Sequence, residues 1–305
     1  MKRKIILIAM MLLLLLGGCS GKGNFKDYTY RERDSYQFLN TDLYGTHITI
    51  EYQKGPMGRT LYFVEDEREL ALLVYYLSLE GKYHVEYIMR GENDFTYLHL
   101  YLYIYALVNE QFGLDIYQNE DGFEMVSLWP MTDYDMQELN NFIDEVLLDI
   151  PEDATDREKV LFIHDYIVKY SAYDMYAYER LWDMDLYYQS SHPYAVIIEK
   201  SGMCAGYAGA VNMFLIKLGI PSIRISSEAS NHAWNLVYLD GEWYQLDATW
   251  DDVIPDIYEY VRYTYYLIPV SDNYFMDHLY DKLTKDTFDL NTYIDYGNWL
   301  FGLDK

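Results

Sequence analysis

Residues 201–252 carry the pattern that decides the fold, SGMCAGYAGAVNMFLIKLGIPSIRISSEASNHAWNLVYLDGEWYQLDATWDD. Cys204 begins an apolar stretch rich in small residues, and the stretch ends at Gly219. This pattern predicts a helix with a buried face, since glycine commonly ends helices. The small residues should let the helix lie close to a neighbouring sheet. A cysteine at the positive end of a helix dipole is favoured as the thiolate, whereas a merely structural cysteine packs as a small hydrophobe.

Strands are predicted after this helix over 220–226, 231–239 and 242–247. Asp240-Gly241 between the last two strands predicts a two-residue type I′ hairpin, which pairs Leu239 with Glu242. This register places His232, Trp234 and Asp247 on one face of the hairpin, with His232 and Asp247 as diagonal neighbours.

The hairpin geometry predicts a Cys–His–Asp arrangement. An Asp247 carboxylate next to the imidazole of His232 would fix its tautomer and leave the other ring nitrogen to face a thiolate at Cys204. A slip of one residue in the register would move Asp247 to the opposite face, away from His232, and would contradict this expectation.

Further motifs extend this pattern over residues 160–280. They are Ile163-His164-Asp165-Tyr166, Tyr173-Asp174, Gly202-Met203-Cys204-Ala205-Gly206-Tyr207-Ala208, Leu218-Gly219-Ile220-Pro221, His232-Ala233-Trp234-Asn235 and Trp243-Tyr244-Gln245-Leu246-Asp247-Ala248-Thr249-Trp250-Asp251-Asp252. Their order and spacing resemble the transglutaminase-like (papain-fold) cysteine superfamily, in its bacterial secreted lipoprotein branch.

The resemblance implies that Cys204 is the nucleophile, His232 the general base and acid, and Asp247 the orienting carboxylate. It implies an α+β fold in which the helix that carries the cysteine packs on an antiparallel sheet. Ala205 departs from the pattern, because many relatives have a polar residue after the cysteine. This departure concerns the pocket rather than the triad, and the motifs do not place the family's oxyanion donor.

The remaining chain divides into three predicted segments before a transglutaminase-like domain at 151–305. Residues 1–18 are predicted to be a lipoprotein signal peptide, residues 19–35 a lipidated tether, and residues 36–150 a small mixed α/β module of unknown role. In that module we expect strands over 46–52, 59–64, 82–89 and 123–129, and a helix over 66–79. Alternation in residues 97–108 fits a strand, whereas the length and continuation of this stretch favour a helix. Further helices are expected from a cap at Thr132 or Asp133 to Leu148, and from Arg157 onward.

The first nineteen residues predict export. Three basic residues precede twelve consecutive apolar residues, a run shorter than the roughly 20 needed to span a bilayer as a helix. Leu16-Gly17-Gly18-Cys19 resembles the lipobox of bacterial lipoproteins, in which the cysteine is acylated. The expected location is therefore extracytoplasmic, with the chain anchored to the bacterial membrane through Cys19. Cys204 would then be the one remaining thiol of the two in the chain.

Composition and motif spacing exclude several classes of function. The formal charge of −26 disfavours nucleic-acid binding, because a chain this acidic repels phosphate backbones. We expect no cofactor and no metal, since no zinc-ligand spacing, EF-hand loop or phosphate-binding glycine loop is present. Asp247, Asp251, Asp252 and Asp256 are expected to form a solvated acidic loop, and His164 to be a packed core histidine or a partner of Asp165.

Two functions from different classes remain. The first is an envelope-anchored cysteine enzyme, a peptidase, deamidase or transamidase, that acts on amide bonds of proteins or peptides, including cell-wall-associated ones, through a thioester. The second is a papain-fold lipoprotein with weak or no activity that serves as a binding or scaffold module.

Overall fold

A computed structural model describes residues 36–43, 46–54, 59–91, 107, 112–118, 124–132, 134–227, 230–254, 260–271 and 290–303. The predicted signal peptide and tether, with Cys19, lie outside the described residues, as do Asp256, His278 and all of the predicted helix 97–108 except Leu107. Among the helices that are described, none combines the length and apolar character needed to cross a membrane.

The amino-terminal part is a six-stranded sheet. Its strands are β1 (Gln37–Leu43), β2 (Thr46–Lys54), β3 (Thr60–Val64), β4 (His84–Met89), β5 (Phe112–Gln118) and β6 (Glu124–Pro130), in the order β1-β2-β3-β4-β6-β5. Helix α1 (Glu67–Leu79), capped by Asp66, connects β3 to the parallel strand β4, as a parallel pair requires a crossover. These elements confirm the four predicted strands and the helix over 66–79, whereas β1 and β5 were not predicted.

Helices and short strands make up most of the central region. They are α2 (Met136–Leu147), α3 (Asp156–Tyr170), β7 (Ala172–Tyr173), α4 (Met175–Tyr178), α5 (Met184–Ser190), α6 (Pro193–Ile197), β8 (Ser201–Gly202) and α7 (Cys204–Lys217). The expected cap of α2 at Thr132 or Asp133 is wrong, because the side chain of Asp135 accepts from the backbone there. Helix α3 has a capping box formed by Thr155 and Glu158.

The carboxy-terminal sheet is antiparallel, with the order β12-β11-β10-β9. It consists of β9 (Ser222–Ser227), β10 (His232–Leu239), β11 (Glu242–Leu246) and β12 (Ile268–Pro269), and the short helix α8 (Ala248–Asp251) follows β11, with α9 (Leu290–Phe301) last. The predicted register is confirmed, since Leu239 pairs with Glu242. Asp240 and Gly241 have φ values of 53° and 89°, as a type I′ turn requires.

The two faces of this sheet belong to different hydrophobic clusters. Trp234 and Leu236 pack into a core shared with the six-stranded sheet, α1 and α9. Val237 and Leu239 pack against α3 and α7. Alternate residues of β10 therefore serve opposite faces, and the helix that begins with Cys204 packs on the antiparallel sheet as predicted. The boundary between residues 150 and 151 stays a prediction.

Candidate active site

Cys204 begins helix α7 and is partly exposed. The backbone N–H of Met203 before it donates to the carbonyl of Ser190, at 2.8 Å. Within the described part of the chain, Met203 gives the first turn of α7 no side-chain cap. Because the first N–H groups of a helix have no partner inside the helix, this turn offers donors beside the thiol.

Gly206 explains how the cysteine comes to lie where it does. A Cβ atom at Gly206 would lie 3.0 Å from the Ser190 carbonyl oxygen and 3.0 Å from Cγ2 of Val196. Gly206 therefore faces residues 190–196. The expectation that small residues let α7 lie close to the sheet is confirmed at Ala208, which packs with Ala233 of β10. The side-chain nitrogen of Asn235 also donates to the Ala208 carbonyl at 3.0 Å.

His232 and Asp247 form a short buried pair. Nε2 of His232 donates to Oδ2 of Asp247 over 2.6 Å, and the two residues are 8% and 1% exposed. A hydrogen bond with the Cys204 side chain also acts on His232. Since Nε2 is engaged by Asp247, the ring nitrogen that faces Cys204 is Nδ1. The structure thus brings His232 and Asp247, which the hairpin register selected, together with Cys204 at the start of α7.

Two indole rings hold the imidazole of His232 from either side. The ring of Trp234 is stacked on it at an interplanar angle of 12° and a centroid distance of 5.9 Å. The ring of Trp250 lies at 5.2 Å and is tilted by 33°. These contacts limit rotation of the imidazole, so the orientation set by Asp247 is reinforced by packing.

The electrostatic environment favours the protonated form of His232. Burial lowers the pKa of a histidine, but here the charge and hydrogen bond of Asp247, followed by the contact with Cys204, raise it to about 10. Burial and then the neighbouring Cys204 also raise the pKa of Tyr173, which therefore keeps its phenolic proton at neutral pH. The site can hold an imidazolium beside a sulfur nucleophile.

Asp247 has a second role that the sequence pattern did not reveal. Strand β11 ends at Leu246, and Asp247 is the N-cap of α8, with Oδ1 accepting from the Trp250 N–H at 3.0 Å. One carboxylate therefore orients His232 and begins the helix that supplies Trp250. Its own backbone N–H donates to the Tyr265 carbonyl at 3.0 Å.

The acidic residues that follow Asp247 are buried rather than solvated. Asp251 and Asp252 are 0% and 5% exposed, which contradicts the expected solvated loop. Asp252 accepts from the Tyr207 hydroxyl at 2.5 Å. His164 lies close to Asp251, with Nε2 at 3.2 Å from Oδ2, so it is a buried partner of Asp251 as well as of Asp165.

A cleft of about 110 Å³ opens at Cys204 and His232. Its walls include Tyr173, Tyr178, Leu181, Tyr187, Ser191, Met203, Ala205, Ser226, Ser227, Asn231 and Ala233. Most of this lining was not predicted from the sequence, because nothing in a short irregular segment indicates which of its many tyrosines face the cysteine. Among the described residues, no three His, Cys, Asp or Glu side chains are grouped to hold a metal ion.

Comparison with known proteins gives the same family as the motifs. A family model described as the transglutaminase-like superfamily matches residues 147–248. Human kyphoscoliosis peptidase is 25% identical over a region that covers 46% of this chain and 23% of the human protein. The mouse protein of the same name is 26% identical over 37% of this chain and 19% of its own length.

The chain thus spans less than a quarter of the length of these curated relatives. A crystal structure of a TGase aligns with 73% of this chain and 68% of its own, with 15% identity and a TM-score of 0.35.

Proposed function

Since residues 147–248 belong to the transglutaminase-like superfamily, we propose that this chain is a cysteine enzyme that acts on amide bonds of proteins or peptides. One observation carries the proposal. Cys204, at a helix N-terminus in an open cleft, contacts a buried His232 that is paired with Asp247 at 2.6 Å. A nucleophile, a base and a group that orients the base are the parts that acyl transfer to sulfur requires.

The first half of the reaction forms a thioester. The thiolate of Cys204 attacks the carbonyl carbon of the amide, and the oxygen takes up the electron pair of the C=O bond. We propose that the backbone N–H of Cys204, at the start of α7, donates to that oxyanion. When the C–N bond breaks, the imidazolium of His232 gives its proton to the leaving nitrogen, which departs as an amine or as ammonia.

The second half resolves the thioester. Neutral His232 takes a proton from the incoming nucleophile as that nucleophile attacks the thioester carbonyl, and the thiolate of Cys204 leaves. Water as the nucleophile gives a carboxylic acid, which completes a peptidase or deamidase reaction. A primary amine gives a new amide, which completes a transamidation.

The surroundings of the cleft support a polypeptide substrate. Tyr178 and Leu181 line the cleft and are themselves 47% and 38% exposed. Tyr176 and Trp182, their neighbours in sequence, are 61% and 78% exposed, so this segment presents several large apolar side chains to solvent. Exposed apolar surface of this kind is characteristic of sites that bind protein or peptide segments.

The proposed location is the outer face of a bacterial membrane, with Cys19 carrying the lipid. The support is the basic and apolar leader followed by Leu16-Gly17-Gly18-Cys19. Growth of expressing cells with a radiolabelled fatty acid should label the full chain but not a Cys19→Ser variant. Equal labelling of both proteins would refute the anchor and leave the proposed chemistry untouched.

The chemistry is tested through Cys204 itself, because this needs no known substrate. In the full chain with Cys19→Ser, Cys204 is the one thiol, and its rate of alkylation by iodoacetamide can be followed from pH 5 to 10 by mass spectrometry. We expect a reactive plateau that extends well below pH 8.5, where an ordinary thiol ionises, and its loss in His232→Ala.

The type of reaction is tested next with β-casein, in the presence and absence of a fluorescent primary amine. Chain cleavage, ammonia release without cleavage, and amine incorporation distinguish peptidase, deamidase and transamidase, and Cys204→Ala should abolish whichever occurs. A thiol that reacts like free cysteine whether or not His232 is present would overturn the enzymatic proposal. The protein would then be better explained as a binding module of the same fold.

A further inference from the structure

A second buried histidine–aspartate pair lies behind the candidate triad. His164 on α3 is 1% exposed, and Asp251 on α8 is 0% exposed. Nε2 of His164 lies 3.2 Å from Oδ2 of Asp251, while its Nδ1 lies 3.4 Å from Oδ1 of Asp165. The proposed mechanism gives no role to this histidine, although few charged or polar groups in the protein are buried more completely.

Helix α8 and the backbone of Tyr265 connect the His164–Asp251 pair to the His232–Asp247 pair. The N–H of Asp251 donates to the carbonyl of Asp247 at 3.2 Å, within the turn that Asp247 caps. Tyr265 links the same two residues from outside the helix, because its N–H donates to the Asp251 carboxylate at 3.0 Å and its carbonyl accepts from Asp247. Any movement of the Asp251 side chain is thereby transmitted to the residue that orients His232.

Charge makes the pairing specific for a histidine. Burial lowers the pKa of His164, but the hydrogen bonds and charges of Asp165 and Asp251 raise it overall. Only the imidazolium can donate to both carboxylates at once, whereas a neutral ring would present a lone pair to one of them.

Two cationic side chains and two aromatic rings surround the His164–Asp251 pair. Arg262 lies 3.8 Å from Asp251, and Lys169 lies 3.3 Å from Asp165. The rings of Tyr263 and Tyr266 lie 5.5 and 4.9 Å from the imidazole of His164. The cations therefore contact the outer sides of the two carboxylates, and His164 occupies the space between them.

We infer that His164 is a positioning residue, which holds Asp251 and with it helix α8 so that Asp247 keeps His232 aligned with Cys204. The inference rests on the proposed function, because it gives His164 its effect through the triad. His164 touches none of the reacting atoms in this role. The series His164–Asp251–Asp247–His232 then acts as one unit, with the outer pair setting the geometry of the inner pair.

The test compares three substitutions in the full chain with Cys19→Ser. His164→Phe keeps a ring but removes both donors, and we expect its iodoacetamide reaction at pH 6 to slow by about 10- to 100-fold, as expected when a catalytic group is displaced by about 1 Å. His164→Gln keeps one donor towards Asp251 but loses the second donor and the charge, so its rate should lie between those of the parent and of His164→Phe. Ile167→Ala, on the same buried face of α3, is the matched control for lost packing.

The outcomes separate positioning from stability and from the proposed function. Ile167→Ala should lower the thermal midpoint while the pH profile of alkylation stays in place. A folded His164→Phe protein with an unchanged profile would overturn the inference while leaving the proposed function intact. Should His164→Phe fail to fold, Asp251→Asn provides the second test, and an unchanged profile there would be equally contradictory. A parent chain that lacks the low-pH plateau would instead refute the proposed function itself.

Discussion

Replacing Asp247 with asparagine should separate the charge of this residue from its role at the start of helix α8. Asparagine caps helices about as well as aspartate, so the hydrogen bond from the Trp250 N–H can be kept. The negative charge that faces Nε2 of His232 at 2.6 Å is lost. The pKa of His232, now about 10, should then fall substantially, because Asp247 is the largest of the influences that raise it and burial still lowers it.

The expected decrease in the alkylation rate of Cys204 follows from the loss of the imidazolium. Without a cation beside it, a thiol with the ordinary pKa of about 8.5 is about 0.3% ionised at pH 6 and about 3% ionised at pH 7. Alkylation of Cys204 by iodoacetamide should therefore slow by about 300-fold at pH 6 and about 30-fold at pH 7, and approach the wild-type rate above pH 9.

The effect of Asp247→Asn on the free energy of unfolding should depend on pH. The folded-state pKa of His232 is raised from 6.5 to about 10, which corresponds to about 5 kcal/mol in favour of the imidazolium. This contribution is complete below pH 6.5 and is lost as the pH rises through about 10. Urea unfolding of Asp247→Asn should show a loss of about 4 kcal/mol at pH 7 that narrows above pH 10.

Asp135→Asn is the control, because Asp135 caps α2 in the same way but has no histidine partner among the described contacts. It should leave the alkylation profile unchanged. If Asp247→Asn is folded and Cys204 still reacts at pH 6 at the wild-type rate, the argument that Asp247 maintains the imidazolium is refuted.

Three further substitutions test the architecture around the site. Gly206→Ala should cost about 1–3 kcal/mol in urea unfolding, because its Cβ would meet Val196 at 3.0 Å; an unchanged midpoint would show that the 190–196 segment yields freely. Trp182→Ser removes a side chain that is 78% exposed and adjacent in sequence to Leu181 of the cleft wall, and should raise KM for a casein-derived peptide a few-fold while kcat and the alkylation rate stay the same. Tyr207→Phe removes the hydroxyl that donates to Asp252, and should lower the free energy of unfolding by about 1–3 kcal/mol, with stability equal to wild type as the contrary result.

The helix and hairpin around the site could be predicted because local rules determine them. Two consecutive residues with positive φ are required at Asp240-Gly241, and this turn fixes which residues of β10 and β11 face each other. The small-residue helix after Cys204 follows from its composition and from Gly219, whose φ is 72°. Period and turn chemistry were enough to select the three side chains that meet.

The direction in which small and acidic residues face could not be predicted, because it depends on segments distant in sequence. Gly206 faces Val196 rather than the sheet, and no local rule indicates which surface approaches a glycine. Asp251 and Asp252 form a charged run with Asp247 and would be solvated in isolation. They are buried because His164 and the Tyr207 hydroxyl reach them from other helices.

The same dependence explains why the site and the core are inseparable in this protein. Asp247 directly follows strand β11 of the hairpin, caps α8 and orients His232. A substitution of Asp247 therefore affects all three features. Its neighbour Asp251 extends the connection to α3 through His164. The carboxylates have hydrogen-bond partners on different elements of the fold. His232 can therefore be held in its protonated form only when α3, α7 and α8 are correctly assembled. Reactivity of Cys204 at low pH should therefore disappear together with the helix content, which circular dichroism and alkylation measured on one urea series can establish. Loss of reactivity at a urea concentration where the helix content is unchanged would mean that the site comes apart while the core stays folded.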